Sequence, residues 1–207
     1  IPDFCDIEDQ TYNIDLNKLE DKIKKDRKIK AIIAVDFAGH PCDWESLNFL
    51  KKKYKLFLIN DNCHAIGASI KGNQGYACKY ADLVTQSYHP VKGITTGEGG
   101  AVLSNNTDLI ETLKLLRSHG IEKNEIDLAK NGPWYCNLEF LGFNYRMSEL
   151  QASLAISQLK RLDAFVQTRN TIARSYDLFF DEFEHCESPK AADGILNSYH
   201  LYPLRVD

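Results

Sequence analysis

A lysine enclosed by glycine and threonine is the first feature of this 207-residue sequence with chemical potential. Lys92 ends the run Ser87-Tyr-His-Pro-Val-Lys92 and is followed by Gly93-Ile-Thr-Thr-Gly97-Glu-Gly-Gly100. Pro90 and Gly93 argue against a helix at this point. A lysine in a tight loop at the edge of a sheet can be desolvated, which lowers its pKa and frees the amine to attack a carbonyl. Taken alone, an exposed loop lysine accounts for the same residue. The second feature is Asp61-Asn-Cys-His64. A carboxylate at a strand end with a histidine three residues on is half of a metal site. It is also the pair that handles a heteroaromatic cofactor, because an aspartate facing a pyridine nitrogen keeps it protonated and makes the ring an electron sink. A third account is that Asp61 caps a turn and His64 is a satisfied, partly buried histidine.

Elements able to position these groups can be read on either side of them. Asp15 opens a helix with Leu16, Leu19 and Ile23 on one face. Ala31 to Asp36 is an apolar run of strand length ending in a carboxylate, and Lys55 to Asn60 is a second such run. Asp43 is a good N-cap for the helix between them, with Leu47 and Leu50 inward. Strand, helix, strand with runs apolar on both faces predicts a parallel sheet covered by helices. Ligands in such sheets bind beyond the carboxyl ends of the strands, where this reading puts both Asp36 and Asp61. Asp82 to Gln86 is a third short strand, and Ala101 to Leu103 a fourth. Asp108 to His119 reads as a helix, and 121–145 as a loop. Ser148-Glu-Leu-Gln151 is a capping-box pattern. It starts an amphipathic helix with Met147, Leu150, Leu154, Leu162 and Phe165 on its apolar side, and a second helix follows from about Thr168 to Phe183. Ser198 to Val206 is strand-like.

Composition excludes several classes. With 43% hydrophobic and 26% charged residues, the chain is not disordered, collagenous or a coiled coil throughout. Twenty-five Lys and Arg against 29 Asp and Glu give a net charge of −4, with no general footprint for nucleic acid. The lysines at 22, 24 and 25 and at 51–53 read as helix C-terminal charges facing solvent. No apolar run is long enough for a membrane span, and no signal-peptide pattern follows Ile1. Six cysteines without a C-x-x-C pair read as free thiols of a reducing, cytoplasmic compartment.

Taken in order, the motifs are similar to those of the nucleotide-sugar aminotransferases, the pyridoxal-phosphate (PLP) enzymes of the DegT family. They are Thr11-Tyr-Asn-Ile-Asp15, Asp61-Asn-Cys-His-Ala65, Ser87 to Lys92, Thr95-Thr-Gly-Glu-Gly-Gly-Ala101, Arg117-Ser-His-Gly120, Gly142-Phe-Asn-Tyr-Arg146 and Ser148 to Ala152. Each is weak singly; the ordered set, reaching from Ile1 to Val206, is specific. The resemblance implies an aspartate-aminotransferase-like large domain, an α/β unit with a mostly parallel sheet covered by helices, truncated at both ends. Residues 1–146 would be part of the PLP-binding domain, and 147–207 the connecting helices and the start of a small domain.

The resemblance also implies roles. Lys92 matches the lysine that forms the covalent imine with PLP and then moves protons. Asp61 matches the carboxylate on the pyridinium nitrogen, and His64 the position beside the ring and its phenolic oxygen. Ser87 matches the phosphate-binding hydroxyl. Asn144 matches an asparagine offered to the phosphate by the neighbouring subunit, which implies a homodimer with a shared site; Arg146 is a candidate anion contact. The implied reaction moves an amino group from glutamate to a UDP-4-keto-6-deoxy-N-acetylhexosamine. Ser118-His-Gly-Ile121 and Ser198-Tyr-His-Leu-Tyr-Pro203 look most like the branch serving pseudaminic acid synthesis. Departures are Asn60 where Glu is common, Asn62 for Ala, and Asp36 where His is frequent. Two other readings compete: a PLP-fold protein that only binds or regulates, and a metal-dependent hydrolase using Asp36, His40, Asp61, His64 and His89.

Overall fold

The computed structural model describes residues 1–122 and 129–206. Its centre is a four-stranded sheet in the order β1-β2-β4-β5, formed by Ala31–Val35, Phe57–Asp61, Leu83–Ser87 and Gly100–Leu103, while β3 (Ser69–Ile70) pairs outside it with Ile195–Leu196. β1 and β2 run parallel, as do β2 and β4, while β5 lies antiparallel to β4. Helices α1 (Leu16–Lys25) and α2 (Trp44–Tyr54) begin where the sequence predicts. Asp15 accepts from the amides of Asn17 and Lys18, and Asp43 from that of Ser46, so each carboxylate satisfies donors that a helix start leaves open. Leu19 and Ile23 of α1 and Trp44, Leu47 and Leu50 of α2 are buried against Ile32, Ala34, Leu58 and Val84 of the sheet. Short α3 (Tyr76–Tyr80) adds Tyr76 and Ala77 to the same core. The lysines close the last turns of α1 and α2, and Lys51 also pairs with Asp82 at 2.6 Å.

Among the described residues the helices that pack on this sheet cover one of its faces. β1 alternates strictly between exposed and buried, and Ile33 is 63% exposed. The reason is that α1, α2 and α3 all pack on the face that carries Ile32, Ala34 and Leu58. The opposite face brings Val35, Asp61 and Thr85 into register across three strands.

Asp36 directly follows β1, at the carboxyl end where the sequence puts it, but it lies fully buried on the helix face, opposite to Asp61. Its carboxylate accepts from the amide of Cys42, Trp44 Nε1, Asn60 Nδ2, Asn62 Nδ2 and the Tyr76 hydroxyl, at 2.7–3.0 Å. Burial pushes its pKa up, and these donors pull against that. The group therefore ties the ends of β1 and β2 to α2 and α3. Asp36→Ala would leave buried donors without an acceptor and should cost roughly 3–5 kcal/mol, read as a lower urea midpoint. A midpoint equal to that of the parent would refute this anchoring role.

The C-terminal half departs from the predicted boundaries. α4 spans Thr107–Arg117, and the predicted loop holds an antiparallel pair, β6 (Ile121–Glu122) and β7 (Asn137–Leu138), with 123–128 outside the described residues. The capping box at Ser148 and Gln151 forms. Two helices follow, α5 (Glu149–Leu159) and α6 (Leu162–Phe180), so Leu162 and Phe165 belong to the second rather than the first. The break is a single tight turn, with the Arg161 amide on Gln158 O at 3.0 Å, and no glycine or proline marks it. Leu150 is 85% exposed, against the expected apolar packing. Of the strand predicted after Ser198, only Arg205–Val206 forms one, pairing with Cys186–Glu187. Residues 197–201 instead dock on the tight turn Phe37–Gly39, through Ser198 N on Gly39 O (3.1 Å) and Leu201 N on Ala38 O (3.2 Å). Gly39 has φ +105°, and a Cβ there would lie 2.6 Å from Ser198 Oγ, so this docking requires glycine.

Candidate active site

The carboxyl ends of β2 and β4 carry the candidate chemistry. Asp61 is the last residue of β2, half-buried on the uncovered face. Its Oδ1 accepts the Cys63 amide at 3.1 Å, so it shapes the next turn as well as facing the site. That turn, closed by Ala65 N on Asn62 O at 3.0 Å, brings His64 back towards β1. His64 Nδ1 accepts the Ala38 amide at 3.3 Å, so the neutral ring carries its proton on Nε2. Ser87 ends β4, and among the described residues its hydroxyl accepts only the His89 amide, at 3.4 Å, leaving its proton to be donated.

Lys92 lies in the loop between β4 and β5, not in a helix. The loop is closed by Tyr88 N on Gly99 O (2.9 Å), Thr96 N on Tyr88 O (3.0 Å) and Lys92 N on His89 O (3.0 Å), and buried Ile94 anchors it. Gly100 is needed at its base, because a Cβ there would sit 2.5 Å from Gln86 O. Lys92 is half-buried, and its charge reaches the turn after β2. Burial first, and then Lys92, holds the His64 pKa below its ordinary value. Burial, and then a hydrogen bond with Asp61, pushes the Cys63 thiol to about 11.

His200 was not singled out as a site residue by its sequence context, yet it belongs here. Its ring lies 4.4 Å from that of His64, centroid to centroid. Burial, followed by His64, Lys92 and Arg169, pushes its pKa down to about 4, and its buried Nδ1 has no hydrogen-bond partner among the described residues. The only sequence signal was a histidine inside the Ser198–Pro203 motif.

Asn144 is not brought to this cluster. It is exposed and forms a bridge with Ser118 beyond α4. Its loop is held by Phe143 N on Leu116 O (2.7 Å) and Tyr145 N on Arg117 O (2.9 Å). Arg146 is exposed and lines a cleft of about 980 Å³ between β4, β5, α4 and the 143–147 segment, whose lining reaches Thr85 and Tyr88 but includes neither Lys92 nor Asp61. The groups of the metal-hydrolase reading are not gathered either. Asp36 is saturated on the helix face, and His40 bonds Pro41 O and Asn13.

The cluster thus offers an amine, a carboxylate, a hydroxyl and two imidazoles held towards the neutral form. The model of the DegT/DnrJ/EryC1/StrS aminotransferase family matches residues 1–207. The chain belongs to that family. Among its relatives, UDP-4-amino-4,6-dideoxy-N-acetyl-beta-L-altrosamine transaminase of Campylobacter jejuni is 43% identical over 98% of the chain and 51% of the relative. The uncharacterized protein MJ1066 of Methanocaldococcus jannaschii is 36% identical over the whole chain and 53% of that protein. Among solved structures, Helicobacter pylori PseC, an aminotransferase in pseudaminic acid biosynthesis, superposes with TM-score 0.89 at 33% identity, covering all of the chain and 53% of PseC. This family member therefore spans about half the length of the relatives it matches. Enzymes of the family use PLP. The donor set fits that group: an amine for its aldehyde, a carboxylate for its ring nitrogen and a hydroxyl for its phosphate.

Proposed function

We propose that the protein carrying this chain is a PLP-dependent aminotransferase that moves an amino group from glutamate to a UDP-4-keto-6-deoxy-N-acetylhexosamine. The product is a 4-amino sugar of the kind used in pseudaminic acid-type surface glycans. The observation that carries this reading is the convergence of Lys92, Asp61, Ser87 and His64 at the carboxyl ends of two adjacent parallel strands. When bound, PLP supplies an electron sink and a carrier for the amino group. Lys92 acts as base and acid, taking a proton from one carbon and returning it to another. Asp61 keeps a ring N–H in place by charge and by a hydrogen bond. Ser87 donates its hydroxyl to a phosphate oxygen. His64, with its proton on Nε2, donates to an oxygen at the ring edge. Incubating the full-length protein with PLP, glutamate and the UDP-keto-sugar should yield the UDP-amino sugar by mass spectrometry. Absence of that product, with both substrates intact, would remove the reading.

The active form in this proposal is a homodimer, with residues 1–146 in the cofactor domain and 147–207 leading into a second one. Asn144 is then offered to the partner's phosphate site. Its exposure fits, as does the apolar surface around it: Leu141 is 91% exposed, and Phe143 stacks on Tyr145 with ring centroids 4.8 Å apart, both rings open to solvent. Such a patch marks an interaction surface. Mixing Lys92→Ala chains with Asn144→Ala chains should give more activity than either alone, because a mixed dimer holds one intact site. Activity no greater than the sum of the parents would mean that the site is not shared.

A further inference from the structure

Residues 197–201 are fixed from three sides. Arg169 of α6 donates to Tyr199 O at 2.9 Å and to His200 O at 3.3 Å. Asn170 donates to Asn197 O at 2.9 Å, and Ser198 Oγ donates to His64 O at 2.9 Å. Leu201 N is held on Ala38 O at 3.2 Å. Between these anchors Tyr199 adopts φ +46°, a conformation that side-chain-bearing residues rarely take. All of this holds one imidazole against His64 with a buried Nδ1 that no group among the described residues satisfies. A buried polar atom without a partner in a site is a place for a ligand atom.

We propose that His200 contacts the substrate, taking a hydroxyl of the keto-sugar at Nδ1, and that Arg169 is the positioning residue that holds it there. The proposal rests on the aminotransferase reading of the site. A hydroxyl is favoured over an anion for two reasons. The groups facing His200 are His64, Lys92 and Arg169, and together with burial they keep its ring neutral. A neutral Nδ1 is either a donor or an acceptor according to tautomer, and a sugar hydroxyl can answer both. The amino donor, a dicarboxylate, has no need of such a group.

The test uses the full-length enzyme with PLP. His200→Ala should raise KM for the keto-sugar about tenfold, with kcat and the glutamate KM changed little. His200→Asn, which restores a donor and an acceptor, should recover part of the loss. Arg169→Gln should reproduce the His200→Ala profile, with Arg169→Lys intermediate. An unchanged sugar KM in His200→Ala, or a rise confined to glutamate, overturns the substrate contact. The positioning role has a readout independent of turnover. In cofactor-free protein, the His200 Cε1–H proton signal should titrate near 4, and Arg169→Gln, which loosens the segment that keeps the ring buried, should move it up. No movement overturns the role of Arg169. An inactive wild-type enzyme would strike the aminotransferase reading itself, and is thereby distinct from an active enzyme indifferent to His200.

Discussion

Lys92→Ala in the full-length enzyme should lower transamination by at least about 10³-fold while leaving the fold intact. The two halves of this expectation have separate causes. The loop backbone does not depend on the lysine side chain: Lys92 N still bonds His89 O, Thr96 N still bonds Tyr88 O, and Ile94 remains the buried anchor. The proposed chemistry does depend on it, because no other lysine among the described residues influences both His64 and His200. The position can also be mapped directly. Borohydride reduction in the presence of PLP should fix a pyridoxyl group to the peptide containing Lys92. A label on Lys71 or Lys79 would overturn the assignment, as would a Lys92→Ala enzyme with substantial turnover and an unchanged unfolding midpoint.

The positions of Lys92, Asp61 and Ser87 in the fold were legible in the sequence because strand ends and a glycine-rich loop are local signals. Pro90, Gly93 and the paired glycines at 99 and 100 describe a turn before any tertiary contact exists. The face that Asp36 takes was not legible, for an identifiable reason. Ile32, Ala34 and Asp36 share one parity along β1, and Leu58, Asn60 and Asn62 share the matching parity across β2, whereas Asp61 has the other. Two carboxylates at neighbouring strand ends therefore face opposite sides of the sheet. Apolar alternation alone could not show which side the helices of this chain would cover. His200 was illegible in a deeper sense. Its place depends on Arg169, Ala38 and His64, which are remote in sequence, and on a left-handed Tyr199 that no propensity favours. The break at Lys160–Arg161 likewise follows from one tight hydrogen-bonded turn in an otherwise helix-compatible stretch.

Asp61→Asn separates charge from shape at the other end of the cofactor. The amide oxygen can still accept the Cys63 N–H, so the turn that presents His64 should persist. Ala65 N on Asn62 O and Asn62 N on Thr85 O hold the same turn without the carboxylate. On the proposed function, what disappears is the negative charge with which Asp61 would keep the ring nitrogen of PLP protonated. A charge that matters more to the transition state than to the resting complex would then be lost, whereas binding would lose only one contact among several. The expected result is a fall in kcat of about 10²–10³-fold with a smaller loss of PLP affinity. Asp61→Ala should lose more of both, since it also removes the acceptor for Cys63. If Asp61→Asn turned over near the wild-type rate, the carboxylate would be a turn-forming residue only, and the electron-sink role would have to be sought elsewhere on the uncovered face.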